Sequence, residues 1–444
     1  MATQNNQAEP KKQYDIVIVG GGMVGISQAL LLSAQNPHWK IALIERFTFP
    51  QTSAEALYQP SFDTRATALS LGTVQVFQAL GLWSQLAEHH TVIKTVHVSD
   101  RGHIAGTEIC HQKQGVDLLG AVVENAWLGR VLLSALRAQS NIEVFDNCEV
   151  NSAQMLADGA LLTVSPNQLE NDKQAENKTQ QENDKAISIH CQLLCLADGG
   201  DSALAGQLGL YRQVQDYKQA AIIATVEASK AHQGVAYERF TDQGPMALLP
   251  LGENDSAKRC ALVWTLPEND LEATLALSDA EILEKLQQRF GYRLGKFCKI
   301  GKRQSYPLQL QMINEQLRSS LVVLGNAAHY LHPVAGQGFN LALRDCVALA
   351  EALKQADEEK QSLGDLSVLQ RYLQMQQQDQ DLTVNFSDQI VKVFSSQQLP
   401  KQLFRSAGFI ALALFPEAKE FLAKQTMGLA GRLSKFNAVN KGVA

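Results

Sequence analysis

The chain has 444 residues, 45% of them apolar and 19% charged, and carries a net charge of −6 at pH 7. That length supports a large core and more than one domain, and the acidic balance excludes broad nucleic-acid binding, which needs a basic footprint. Seven cysteines, an odd number with no CxxC pair, point to buried, reduced thiols of a cytoplasmic chain.

The first thirteen residues, "MATQNNQAEPKKQ", are polar and lack the apolar stretch of a signal peptide. "YDIVIV" (14–19) then has the pattern of a buried strand, "GGGMVG" (20–25) that of a turn, and "ISQALLLSAQ" that of a helix. With "KIALIE" (40–45) as the next strand, this is a βαβ unit of a parallel, helix-covered sheet.

A helix is expected over 72–88, where Val74, Phe77, Leu80, Leu82 and Leu86 recur at helical spacing. Strand patterns follow at 93–98, 187–197, 221–226, 236–240 and 260–266. The middle third, about 210–315, therefore reads as a mostly antiparallel sheet in a second domain. The stretch 165–188 is rich in Asn, Gln, Lys and Glu, and is expected to be a flexible polar insertion between two strands. "SLVVLG" (320–325) returns to strand, and "GFNLALRDCVALAEALKQA" (338–356) to helix. From Val391 onward eight Lys/Arg stand against two Glu, so an acidic body ends in a basic tail. "AGFIALALF" (407–415) in that tail is too short to span a bilayer.

Gly20, Gly22 and Gly25 form G-x-G-x-x-G between a strand and a helix. The first glycine permits the tight turn, the second lets a pyrophosphate approach the backbone, and the third lets helix and strand pack closely. Glu45 closes the second strand 20 residues past Gly25, where an acid can hold both ribose hydroxyls and disfavours a 2′-phosphate. The turn suits the adenosine half of FAD or NAD. The stretch "GNAAHYLHPVAGQGFN" (325–340) favours the flavin, because Gly336 and Gly338 leave backbone accessible at a helix N-terminus. Such a terminus can face an electron-poor ring that becomes anionic on reduction. His329 and His332 could instead be metal ligands, but no carboxylate stands nearby in register and Pro333 breaks a shared helical face. No metal site is expected.

"GGGMVG", "CLADGGDS" (195–202) and "GNAAHYLHPVAGQGFNLALRD" (325–345) together resemble the single-component FAD-dependent aromatic hydroxylases, the class of p-hydroxybenzoate hydroxylase. "FDTRATALS" (62–70), "TVHVSDRGH" (95–103) and "ERFTDQGPMALLP" (238–250) are most similar to the ring hydroxylases of ubiquinone biosynthesis, the 2-polyprenyl-6-methoxyphenol hydroxylases in particular. The resemblance runs from about residue 14 to 430, leaving out the polar insertion.

It implies an α/β fold. A Rossmann-like FAD-binding domain would comprise 14–90, 121–208 and 317–390, and a mostly antiparallel substrate domain 91–120 and 209–316. C-terminal helices would occupy 391–440, and 236–266 would roof the substrate. It adds Arg65, Arg130 and Asp198 to the FAD contacts, with Gly325 and Asn326 at the ribityl chain. Asn326 stands where the class carries an aspartate, and Ala205 where its D-G-x-x-S-x-x-R pattern carries an arginine. Gly336, Gln337 and Gly338 would line the flavin with His332 and Pro333, and His332 would polarise the phenol.

The implied reaction is hydroxylation of a polyprenylated methoxyphenol with O₂, NAD(P)H docking only transiently. A hydroxylase acting at another ring carbon and a non-catalytic FAD-binding assembly protein of the same pathway are the alternatives. The basic tail would meet the membrane surface or pathway proteins, or else pack on the chain's own core or on a second copy.

Overall fold

The computed structural model describes residues 11–50, 65–101, 106–167, 186–200, 202–252, 257–331 and 336–394, together with 420, 423–424 and 427–429. In the first sheet β1 (Lys11–Val19) lies between two parallel partners, β2 (Ile41–Ile44) and β11 (Ile187–Leu196). β19 (Leu321–Val323) pairs in parallel beyond β11, and β8 (Ile142–Phe145) beyond β2. Alternate residues of β1 serve opposite faces, as the pleat requires. Ile16 and Ile18 enter one core with helices α1 (Met23–Gln35) and α5 (Gln337–Glu358), while Val17 and Val19 enter another. That second core is closed by the hairpin β9 (Cys148–Leu156) and β10 (Gly159–Pro166), which pairs antiparallel with β11. The polar insertion joins β10 to β11, and its residues 168–185 lie outside the described residues.

The second sheet has nine strands. β12 (Arg212–Ala228) and β15 (Arg259–Pro267) form its centre, followed by β14 (Gly244–Leu251), β13 (Val235–Thr241), β5 (Thr95–Asp100) and β6 (Gly106–Cys110). β16 (Phe297–Ile300) and β17 (Gln304–Ile313) pair with β12 on its other side, and β20 (His329–Tyr330) with β17. Every pairing is antiparallel except β13 with β5. One face carries Ile222, Met246 and Trp264, which α4 (Asp279–Phe290) covers with Ile282, Leu286 and Phe290. A reciprocal Ser278–Glu281 capping box starts that helix. The opposite face, with Val98, Ile223, Ala247 and Val263, becomes the wall of the site.

A small antiparallel sheet stands between the two large ones, formed by β3 (Ala66–Ser70), β7 (Gly120–Glu124) and β4 (His90–Ile93). It corrects the strand expected at 93–98, which divides at Lys94 into β4 and β5, strands of different sheets. The Lys94 N–H is turned away to the carbonyl of Gly234. The helix expected over 72–88 is also two pieces. α2 (Leu71–Ala79) ends before Gly81, whose φ of +73° no helix interior accepts, and a short helix Trp83–Leu86 follows.

The last long helix, α6 (Leu366–Phe394), packs on α5, where Arg344 donates to Asp379 at 2.6 Å. Further on, Ala423 and Met427 are buried in a cluster with Ile93, Ile109 and Leu119, and the Gly72 N–H donates to the Met427 carbonyl at 3.0 Å. That part of the basic tail packs on the chain's own core. "AGFIALALF" lies outside the described residues, and no helix among the described residues is long and apolar enough to cross a membrane.

Candidate active site

Sequence-distant motifs meet because four adjacent parallel strands end side by side. In the order β19, β11, β1, β2, the residues just beyond the carboxyl ends are Gly325–Asn326, Asp198, Gly20 and Glu45. Ligands of open parallel sheets sit at that edge. Here it opens on a cavity of about 810 Å³ lined by Gly20, Gly22, Glu45, Arg65, Asp198, Asn326, Gly336 and Gly338.

Gly20 has φ +106°, and a Cβ there would stand 2.5 Å from the Ala197 carbonyl oxygen. A Cβ on Gly25 would stand 1.8 Å from the Gly20 carbonyl oxygen, so α1 crosses its own turn at a distance only glycine permits. Gly22 caps α1 without a side chain, which leaves the helix N-terminus open to an anion. Glu45 is held between the glycine turn and its own loop, accepting from the N–H groups of Gly21 and Phe47. Burial raises its carboxyl above the usual carboxylate range, against those two hydrogen bonds. Asp198 is likewise raised by burial, and its Oδ1 has no hydrogen-bond partner among the described residues.

The position expected to lack an arginine is Ala205, which lies inside the second core. A guanidinium is nevertheless supplied, since Arg212 at the start of β12 donates to the Gly199 carbonyl at 3.1 Å and its charge lowers Asp198. Arg65 lies over the Tyr306 ring, 4.8 Å from its centroid, at the junction of the small sheet and the nine-stranded sheet.

Gly336 begins α5 with φ +61°, and a Cβ there would reach Ala68 at 3.3 Å. A Cβ on Gly338 would meet nothing within 4 Å. Gln337, between them, is buried, and it does not line the cavity. Gly325 (φ +62°) abuts Val24 of α1, and its neighbour Asn326 is the residue of the pair that faces the cavity. His332 and Pro333 lie outside the described residues. The His329 Nε2 is 2.6 Å from Asp345 Oδ2, and Gln380 holds the other oxygen of that carboxylate.

Arg130 stands apart from the other expected residues. It is exposed beside Trp127 in a separate hollow with His89 and Arg259. The residue of that segment on the main cavity is Asn125, first residue of helix α3 (Asn125–Arg137), whose Oδ1 accepts from Thr67 at 2.7 Å. Five residues along a helix turn the side chain about 140°, away from the site. Asn340 was also unassigned by the sequence. It is buried in α5, donates to the carbonyls of Ala68 and Gly336, and accepts from the Ser70 N–H and Thr73 hydroxyl.

The features that could hold a ligand here are a glycine turn, two helix N-termini, half-buried carboxyls at strand ends, and space in front of Gly338. They fit a dinucleotide with a flat ring system at its far end, as in an FAD-binding protein. Residues 13–374 match the family described as an FAD binding domain, and the chain belongs to that family.

Among relatives, the ubiquinone hydroxylase UbiL of Rhodospirillum rubrum is 30% identical, over 94% of this chain and 90% of its own. The 3-demethoxyubiquinol 3-hydroxylase of Escherichia coli is 26% identical, over 94% of this chain and 98% of its own. The fold matches p-nitrophenol 4-monooxygenase PnpA of Pseudomonas putida with a TM-score of 0.72 at 18% identity, covering 95% of this chain and 99% of that one. The chain is an FAD-dependent monooxygenase of the ubiquinone hydroxylase group.

Proposed function

We propose that the protein hydroxylates the aromatic ring of a polyprenylated methoxyphenol during ubiquinone biosynthesis. The reaction would convert 2-polyprenyl-6-methoxyphenol to 2-polyprenyl-6-methoxy-1,4-benzoquinol, with O₂ as oxygen source and NAD(P)H as a transient reductant. One observation carries this reading: the cavity that begins at the nucleotide turns continues without a break onto the apolar face of the nine-stranded sheet. A flat phenol with an apolar tail fits such a wall, and a charged or sugar-like substrate does not.

FAD, when bound, supplies the activation of O₂. The chain's own residues do the rest. Gly20, Gly22 and the α1 N-terminus would take the pyrophosphate, Glu45 the ribose and Asp198 the ribityl side, while Asn326 can both donate to and accept from a hydroxyl. The α5 N-terminus at Gly336 and Gly338 would stabilise negative charge on the reduced ring. The apolar sheet face would hold the phenol flat and exclude water.

A second reading, hydroxylation at another carbon of the same ring, draws support from the Escherichia coli relative, whose name places its reaction elsewhere. The test loads purified protein with FAD and supplies NAD(P)H with a short-chain 2-prenyl-6-methoxyphenol. The expected result is faster NAD(P)H oxidation and a para-hydroxylated product by mass spectrometry and NMR. Hydroxylation at another carbon would establish the second reading, and no phenol-dependent oxidation would overturn both. We further propose that the basic residues at the extreme C-terminus meet the anionic surface in which such a lipid resides.

A further inference from the structure

The cavity face of the nine-stranded sheet is a row of cross-strand neighbours fixed by register. Val98 faces Glu238, Glu238 faces Ala247, Ala247 faces Val263, Val263 faces Ile223 and Ile223 faces Gln304. All six line the cavity. Glu238 is the one carboxyl in this row, flanked on both sides by apolar neighbours.

Among the described residues no hydrogen bond or ion pair is made by the Glu238 side chain; only its backbone is engaged, in the pairings with β14 and β5. Its chain neighbours Tyr237 and Arg239 are drawn to α4 on the opposite face, Tyr237 against the Phe290 ring and Arg239 donating to the Arg289 carbonyl. Other ionisable groups on the cavity are Glu45 and Asp198 at the nucleotide turns, Arg65 with Tyr306, Tyr330, Tyr237, and exposed Lys302. None of them is bonded to Glu238. Burial pushes its carboxyl up to about 7, and no charge among the described residues offsets that burial. Glu238 is half-buried and faces the cavity, and a carboxyl on an apolar wall without a partner is costly to ionise unless a ligand supplies the partner. A phenol lying on this face supplies one, an O–H donor on a flat apolar body.

We propose that Glu238 is the residue that receives the substrate's phenol hydroxyl and takes its proton. The inference rests on the phenol reading above. In the step, the phenol O–H bond breaks and the proton moves to Glu238, which becomes a neutral acid. The electron pair stays on the phenolate oxygen and raises electron density at the ortho and para carbons, where the oxygen atom is added. The proton then leaves to water before the next turnover.

The experiment compares wild type, Glu238→Gln and Glu238→Leu, each loaded with FAD and checked for flavin retention by its absorption bands. Binding is read without reductant, from perturbation of the oxidised flavin spectrum by 2-prenyl-6-methoxyphenol and by its O-methyl ether. Wild type should bind the phenol at least tenfold tighter than the ether, and Glu238→Leu should lose that preference. Glu238→Gln, close in shape, should hold the phenol within about threefold yet lose about a hundredfold or more in kcat. The acid limb of the wild-type pH profile, near 7, should vanish in Glu238→Gln. Flavin-loaded variants that keep both the preference and kcat would overturn the assignment to Glu238 while leaving the phenol reading intact. A wild type that binds phenol and ether equally would overturn the phenol reading, and this proposal with it.

Discussion

Two glycines of the site serve different masters, and substitution separates them. At Gly25 a methyl group would strike the Gly20 carbonyl oxygen of the turn itself, so Gly25→Ala must move α1 or the turn. Overpacking of this kind costs about 1–3 kcal/mol, and the expected outcome is a lower Tm together with loss of FAD. At Gly338 a methyl group meets only open cavity. Gly338→Ala should leave the stability of the flavin-free protein within about 0.5 kcal/mol of wild type, with Tm nearly unchanged, and weaken FAD retention on desalting. Equal Tm losses in both variants would show that Gly338 is structural. Glu238 carries a third residue-scale effect, this one on stability. Its folded carboxyl is raised, so the folded state holds the proton more tightly than the unfolded chain does. Its contribution is present below the usual carboxylate range and is lost as pH rises towards about 7. Glu238→Gln should therefore melt higher than wild type at pH 8 and near wild type at pH 4.5, measured by differential scanning fluorimetry. A lower Tm for Glu238→Gln at pH 8 would mean that the ionised carboxylate has a stabilising partner.

At the scale of elements, helix α5 holds its N-terminus at the cavity because other elements fix it from two sides. Asn340 ties its first turn to β3 and α2, while Asp345, with His329 and Gln380, and Arg344, with Asp379, tie its middle to β20 and α6. Asn340→Ala leaves the Ser70 N–H and the Ala68 carbonyl without their partner, which costs about 2 kcal/mol or more. FAD release, followed by flavin fluorescence, should quicken in the same variant. Unchanged release with a lowered Tm would confine Asn340 to stability.

The motif around α5 was legible because a glycine-flanked turn before an apolar periodic helix is a local signal. The clamp was not, since Asn340 and Ala68 lie 272 positions apart and no spacing announces their contact. A guanidinium attracts notice in a sequence, yet the helix presents Asn125 to the site and turns Arg130 to solvent. The strand break at Lys94 was equally hidden, because an apolar alternation does not reveal that its two halves join different sheets.

Across the whole molecule, the site is a seam between two sheets, and the late residues of the chain reinforce one side of it. Ala423 and Met427 cover Ile93, Ile109 and Leu119, and Ile93 and Leu119 also line the cavity. Truncation after Phe394 should uncover this cluster, giving aggregation and FAD loss, because exposed apolar area of this kind is no longer removed from water. Truncation after Ala430 keeps the cover and removes only Arg432, Lys435 and Lys441 among the basic residues. That shorter truncation should retain FAD and Tm. It should also sediment less with vesicles containing anionic lipid, since each basic residue near such a surface is worth about 1 kcal/mol. Phosphatidylcholine vesicles serve as the control, and neither form should bind them appreciably. Equal vesicle binding by the Ala430 truncation and the full chain would sink the membrane role of the tail, leaving residues 420–429 as a cover for the cavity wall.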